Sequence, residues 1–260
     1  MSAIILNGEI VHYEVLGRGR PVVFLHGWVG SWRYWIPSMQ AISTSYRAYA
    51  IDLWGFGDTA KSTDNYALQQ QSQLIENFLH EMGIGKVALV GHGLGSLVAL
   101  RFTLDNAEIV DRLMLVGFPM STAELDERLH NQQPAALANW LLTQDSDHEA
   151  ARTEAPKADA QAIKKSLEEF KTIQTDEMFK ALDKATLLVH GQNDEAVRPQ
   201  AGENHLPSQA HRIVFESSGH FPMLDEMSKF NRLVADFLAL QAGESPRQLQ
   251  LKEEWKRRVR

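Results

Sequence analysis

Short runs of apolar, β-branched residues recur along the chain, and stretches with helical spacing lie between them. The strand candidates are Ile10–Val15, Pro21–His26, Tyr46–Asp52, Val87–Gly91, Val110–Gly117, Thr186–His190 and Arg212–Glu216. From Pro21 onward these runs are continuously apolar, the pattern of strands covered on both faces. Helical patterns fall near Trp35–Ser43, Leu68–Met82, Leu94–Leu104 and Ser228–Gln241. This alternation predicts an α/β sandwich: a mostly parallel central sheet flanked by helices and joined by right-handed crossovers. At 260 residues the chain can bury such a core as one domain.

One stretch breaks the rhythm. No strand pattern occurs between Phe118 and Thr186. Ser121-Thr122-Ala123-Glu124 has the spacing of a capping box and predicts the start of a helix. Leu137, Trp140 and Leu141 share one helical face, as do Ile163, Leu167 and Phe170, with polar Gln144–Asp159 between the two groups. A single crossover does not need about sixty residues. The expected organisation is a core from 1–120 and 184–243, a helical lid over the carboxyl edge of the sheet from 121–183, and a tail from 244–260.

Composition narrows the function. Hydrophobic residues make up 44% and charged residues 23%, which excludes a wholly disordered chain. A net charge of −7 argues against a general nucleic-acid binder. With no cysteine, a disulfide framework, a thiol nucleophile and a cysteine metal site are all excluded. His190 has no recognisable partners for a metal, and no nucleotide or flavin motif occurs, so neither metal nor cofactor is expected. The N-terminus lacks a basic segment followed by an apolar run, and no apolar run has the length of a membrane span. These features predict a cytoplasmic protein. The tail is distinct: Pro246 to Arg260 holds six basic and two acidic residues, a net of +4, which leaves −11 on the remainder. Leu251, Trp255 and Val259 recur at helical spacing there, so the tail could mediate self-association or bind a partner.

The strongest local signal is Leu89-Val90-Gly91-His92-Gly93-Leu94-Gly95, an apolar strand entering a glycine-rich turn and then a helix. That is the layout of a nucleophile elbow, G-x-S-x-G, except that the central residue is Gly93. Four further segments agree in order and spacing: His26-Gly27-Trp28, Asp52-Leu53-Trp54-Gly55-Phe56-Gly57-Asp58, His190-Gly191-Gln192-Asn193-Asp194, and Gly219-His220-Phe221-Pro222. From about Ile4 to Gln241 the chain resembles the α/β-hydrolase superfamily. The resemblance implies a nucleophile position at Gly93, an acid at Asp194 and a histidine at His220, in the family's order. It also implies an oxyanion hole made by the backbone N–H groups of Trp28 and Leu94.

Chemistry assigns the roles. His220 would be the general base, and Asp194 would orient its imidazole and stabilise the charged form. Gly93 has no side chain and cannot attack a carbonyl; losing the nucleophile of a triad costs on the order of 10⁶ in turnover. Ser96 lies a helical turn further on and is not expected to replace it. Three explanations remain. Gly93 is an inactivating change, introduced or recent, in a serine or aspartate hydrolase. Alternatively the dyad works on water or on a substrate C–H without a nucleophile, or the protein is a ligand receptor or partner-binding protein on a hydrolase scaffold. Trp32, Trp35, Trp54, Phe118, Trp140 and Phe221 are the candidate walls of an apolar pocket for a small carbonyl compound.

Overall fold

The computed structural model of the chain describes residues 2–198 and 206–251. Its strands are β1 Ser2–Leu6, β2 Glu9–Gly17, β3 Arg20–Leu25, β4 Tyr46–Ile51, β5 Val87–His92, β6 Val110–Val116, β7 Ala185–Gly191 and β8 Ala210–Phe215. They form one sheet in the order β1-β2-β4-β3-β5-β6-β7-β8. Pairing is antiparallel from β1 to β2 and from β2 to β4, and parallel from β4 through β8. The α/β sandwich predicted from the apolar runs is therefore present.

Strand β1 was not among the expected strands. It forms a hairpin with β2 through Asn7-Gly8, both at positive φ, with Leu6 opposite Glu9. Asn-Gly between two apolar runs is a strong hairpin signal, and it was legible in the sequence.

The helices that cover the sheet are α1 Ile36–Ile42, α2 Leu68–Glu81, α3 Leu94–Asp105 and a later helix, Met227–Ala239. Helix α2 buries Leu68, Gln71, Leu74, Ile75, Phe78 and Leu79 on one face and exposes the other, as an outer helix does. Helix α3 is buried on nearly all sides, because it lies against β5 and β6 and is covered by α2. Helix α1 and the Met227–Ala239 helix pack on each other.

Between β6 and β7 run five helices: α4 Arg128–Asn131, α5 Pro134–Leu141, α6 Ser146–Glu154, α7 Ala160–Phe170 and α8 Thr175–Lys180. After β8 come α9 Pro222–Asp225 and α10, the Met227–Ala239 helix. Two local expectations are corrected here. The Ser121 capping box does not open a long helix: only a short 3-10 turn forms, and the Glu124 carboxylate accepts the Met120 N–H. The chain is drawn instead into a bridge between Leu125 and Val197, with the Glu124 carbonyl accepting the Arg198 N–H. The polar stretch Gln144–Asp159 is not a mere separator, since it contains α6. Asp145 caps that helix by accepting the Asp147 and His148 N–H groups, while His148, Ala151 and Glu154 turn inward.

Beyond α10, Arg247 donates to the carbonyls of Leu206, Pro207 and Ala210 and so ties the segment to the start of β8. The tail helix expected from Leu251, Trp255 and Val259 lies outside the described residues from 252 onward. The sheet's main consequence is at its carboxyl edge. There the parallel strands deliver the loops that follow β3, β5, β6, β7 and β8, where open α/β sheets gather their sites.

Candidate active site

The turn from β5 into α3 is closely packed. A Cβ on Gly91 would lie 2.3 Å from the Gly95 carbonyl oxygen, and one on Gly95 would lie 2.4 Å from that of Leu25. Strand and helix could not come this close with any larger residue. Gly93 stands between them at φ 49° and ψ −111°, a conformation that L-residues adopt only under strain. The Ser96 hydroxyl donates back to the Gly93 carbonyl at 2.5 Å, so it is occupied within the turn.

His220 and Asp194 come together across 26 positions of sequence. His220 Nδ1 and Asp194 Oδ2 are 2.9 Å apart, and both residues are buried. The other carboxylate oxygen, Oδ1, accepts the N–H groups of Ala196 and Val197 at 2.8 and 2.9 Å. Asp194 is thus held on both oxygens. An imidazole that donates Nδ1–H to it carries its lone pair on Nε2, the arrangement of a general base. Gly117, at the end of β6, gives the ring its room: a Cβ there would sit 3.2 Å from His220 Cε1.

A buried chain of hydrogen bonds braces the opposite loop. The Gly27 N–H donates to the Tyr34 hydroxyl at 2.7 Å, and that hydroxyl bonds His92 Nδ1 at 2.9 Å. His92 Nε2 then donates to the His220 carbonyl at 2.9 Å. Burial, and secondarily the neighbouring His220, push His92 well below the usual histidine range, so it remains a neutral strut. His26 is also neutral, driven down mainly by burial; it bonds the Gly27 carbonyl and accepts the Leu53 N–H. Neither the Trp28 nor the Leu94 N–H donates to a protein acceptor among the described residues. The Leu94 group is free because it opens a helix.

The aromatic candidates divide. Phe221 lies against His220 and His92, with ring centroids 5.2 and 4.9 Å apart. Phe118 follows Gly117 and packs on Phe179 of α8. Trp140 lies under Arg128 and donates to Glu195, the neighbour of Asp194. Trp54 is buried and exchanges two backbone hydrogen bonds with the Gln71 amide. Trp32 packs against His12 of β2, and Trp35 sits in the core between Phe24 and Phe230. Trp28 is fully buried with its ring over Gly93.

Two further groups lie near the site. His12, Asp52 and Asp58 bring possible ligand atoms within 4.8 Å of one another. Asp52 already bonds the Trp32 and Asp58 N–H groups and His12, so the cluster braces the loops after β3 and β4. His148 of α6 contacts Asp145 at 2.8 Å and Asp225 at 2.9 Å, and Asp225 also accepts the Gly219 N–H beside His220. Burial opposes a charge on His148, but its bonds to Asp225 and Asp145 prevail and raise its pKa. Gly117, Ser166 of α7, whose hydroxyl accepts the Trp28 indole N–H, and the His148–Asp225 contact were not singled out from the sequence. A glycine closing strand β6 was the one available signal; the other contacts join residues far apart in the chain.

The model of the Alpha/beta hydrolase family matches residues 22–233, and the chain belongs to that family. A 2-hydroxy-6-oxo-6-(2'-aminophenyl)hexa-2,4-dienoic acid hydrolase of Metapseudomonas resinovorans is 26% identical over 263 residues, covering 91% of this chain and 90% of that protein. A soluble epoxide hydrolase of Corynebacterium sp. (strain C12) is 33% identical over 111 residues, but that match spans only 43% of this chain and 39% of the relative. Among solved structures, an esterase from Exiguobacterium antarcticum superposes with a TM-score of 0.81 at 20% identity, covering 92% and 99% of the two chains. No helix among the described residues is long and apolar enough to cross a membrane.

Proposed function

We propose that this protein binds a small, largely apolar carbonyl compound, such as an ester or lactone, and hydrolyses it by direct attack of water. The observation that carries the reading is the contrast within the site. The His220–Asp194 pair has its polar atoms oriented, while the elbow position, Gly93, has no side chain at all. In this reading His220 Nε2 takes a proton from water as the water oxygen bonds to the carbonyl carbon. The carbonyl oxygen becomes an oxyanion facing the N–H groups of Trp28 and Leu94. The intermediate collapses, the bond to the leaving oxygen breaks, and the imidazolium returns the proton to it. Atoms balance without a covalent enzyme species.

The helical segment at 121–183 serves as the lid. In this reading Phe118, Phe221, Trp28, Trp54 and Trp140 would contribute the apolar wall, while Trp32 packs on His12 and Trp35 between Phe24 and Phe230. Relatives named for hydrolysis of an epoxide and of a dienoic acid support a small organic substrate.

The test is p-nitrophenyl butyrate turnover by the wild type, His220→Ala and Gly93→Ser. Wild-type turnover should show no burst, and His220→Ala should lower it by about 10²–10⁴-fold. Turnover unaffected by His220→Ala would overturn the reading. A second reading, a non-catalytic ligand receptor, is favoured by the absence of any side chain at Gly93. Absence of turnover in all three proteins, together with saturable binding of butyrate by the wild type, would select it.

A further inference from the structure

The ring of Trp28 is fully buried, and its two anchors lie in different parts of the molecule. At one end Nε1–H donates to Ser166 Oγ of α7 at 3.1 Å. The Ser166 hydroxyl sends its own proton to the Ile163 carbonyl at 2.8 Å. Its bond to the indole therefore uses a lone pair, and the serine cannot rotate away without breaking one of the two bonds. At the other end the six-membered ring covers Gly93. A Cβ on Gly93 would stand 3.1 Å from Cε3 and 3.2 Å from Cζ3. Ordinary carbon contacts need about 3.5–4.0 Å. The ring thus lies against the place a Cβ would take and would have to give by a few tenths of an ångström to admit one.

We propose that Trp28 is a positioning residue, seated on Gly93 and hung from Ser166, through which the helical segment sets the loop that carries the Trp28 N–H. The proposal deepens the function above and rests on it only in taking that N–H as an oxyanion donor. Two consequences follow from the geometry. Movement of α7 and the shape of the oxyanion loop are coupled through one ring. A side chain at position 93 and the bond to Ser166 compete for the position of that ring, so restoring a serine there displaces the indole from its anchor.

The test uses the full chain and needs no substrate. Proton–nitrogen correlation spectra resolve the indole N–H groups of the six tryptophans, and Trp28→Phe assigns the relevant peak. Ser166→Ala should move the Trp28 peak and speed its hydrogen exchange, and Ser166→Thr, which keeps the hydroxyl, should restore both. Gly93→Ser should move the same peak. In thermal melts Ser166→Ala should lower Tm by about 2–4 °C. Combined with Gly93→Ser, it should cost less than the sum of the two single losses, because the ring is already displaced. Strictly additive losses, or a Trp28 peak that Gly93→Ser leaves in place, would overturn the proposal. Turnover enters neither readout, so a negative esterase assay leaves these outcomes fully interpretable.

Discussion

On the His220 side of the site, side chains orient one another; on the Gly93 side, backbone and one aromatic ring take their place. Asp194 holds His220 with one oxygen and two backbone N–H groups with the other, and His92 and Tyr34 link the histidine's carbonyl to Gly27 in the loop after β3. Each of these polar atoms has a partner, as buried polar groups require. Across from them, Gly93 keeps the strained turn but presents nothing beyond Cα, and Trp28 covers it. The difference shows that the His220–Asp194 pair and the turn at Gly93 are held by separate means. The first depends on a hydrogen-bonded network, the second on a single residue set in a special backbone conformation.

The comparison can be broken most forcefully at Asp194. Asp194→Ala leaves the Ala196, Val197 and His220 donors without their acceptor, and a urea melt should show a loss of about 2–4 kcal/mol. Any turnover should fall with it. A loss confined to turnover would mean that the network does not brace the loop after β7.

Gly93→Ser probes the other side. The strained φ and ψ and the contact with Trp28 act in the same direction, and destabilisation of about 1–3 kcal/mol is expected, read from the denaturant midpoint at constant slope. An unchanged midpoint would show that the turn accommodates a side chain freely. Gly117→Ala sharpens the boundary between the two sides. Its φ of 55° and the close approach to His220 Cε1 predict a loss of about 1–2 kcal/mol and a shifted His220 ring resonance.

The smallest effect concerns the tie between α6 and the loop that carries His220. The pKa of His148 is raised above 6.5 in the folded chain by its bonds to Asp225 and Asp145, against the effect of burial. The stabilisation it contributes is therefore complete below about pH 6.5 and disappears as pH rises through the raised value. The stability difference between wild type and His148→Gln should shrink from pH 5.5 to pH 9. A difference that stays constant would assign the contact to packing instead of charge.

Much of the fold was legible because continuous apolar runs and helical spacings report local backbone preference and two-sided burial. The motif order around His26, Asp52, Gly93, Asp194 and His220 was legible because glycine-rich turns leave marks in sequence. Less visible were features whose meaning depends on a distant partner. The polar stretch that became α6 reads as loop by composition; its inward-facing His148 acquires its role only beside Asp225. Trp32 and Trp35 look like pocket residues in a row of aromatics, yet one rests on His12 and the other between Phe24 and Phe230.

By itself the sequence determined the α/β architecture and the glycine-rich turn around Gly93, since each depends on residue type and local spacing. Only the tertiary structure decided what lies against that turn. A ring from the loop after β3, held by a serine in α7, reaches Gly93 because the parallel sheet brings the carboxyl ends of β3 and β5 side by side beneath the helical segment. Contacts of that kind join residues 65 and 138 positions from Trp28, and no local pattern encodes them.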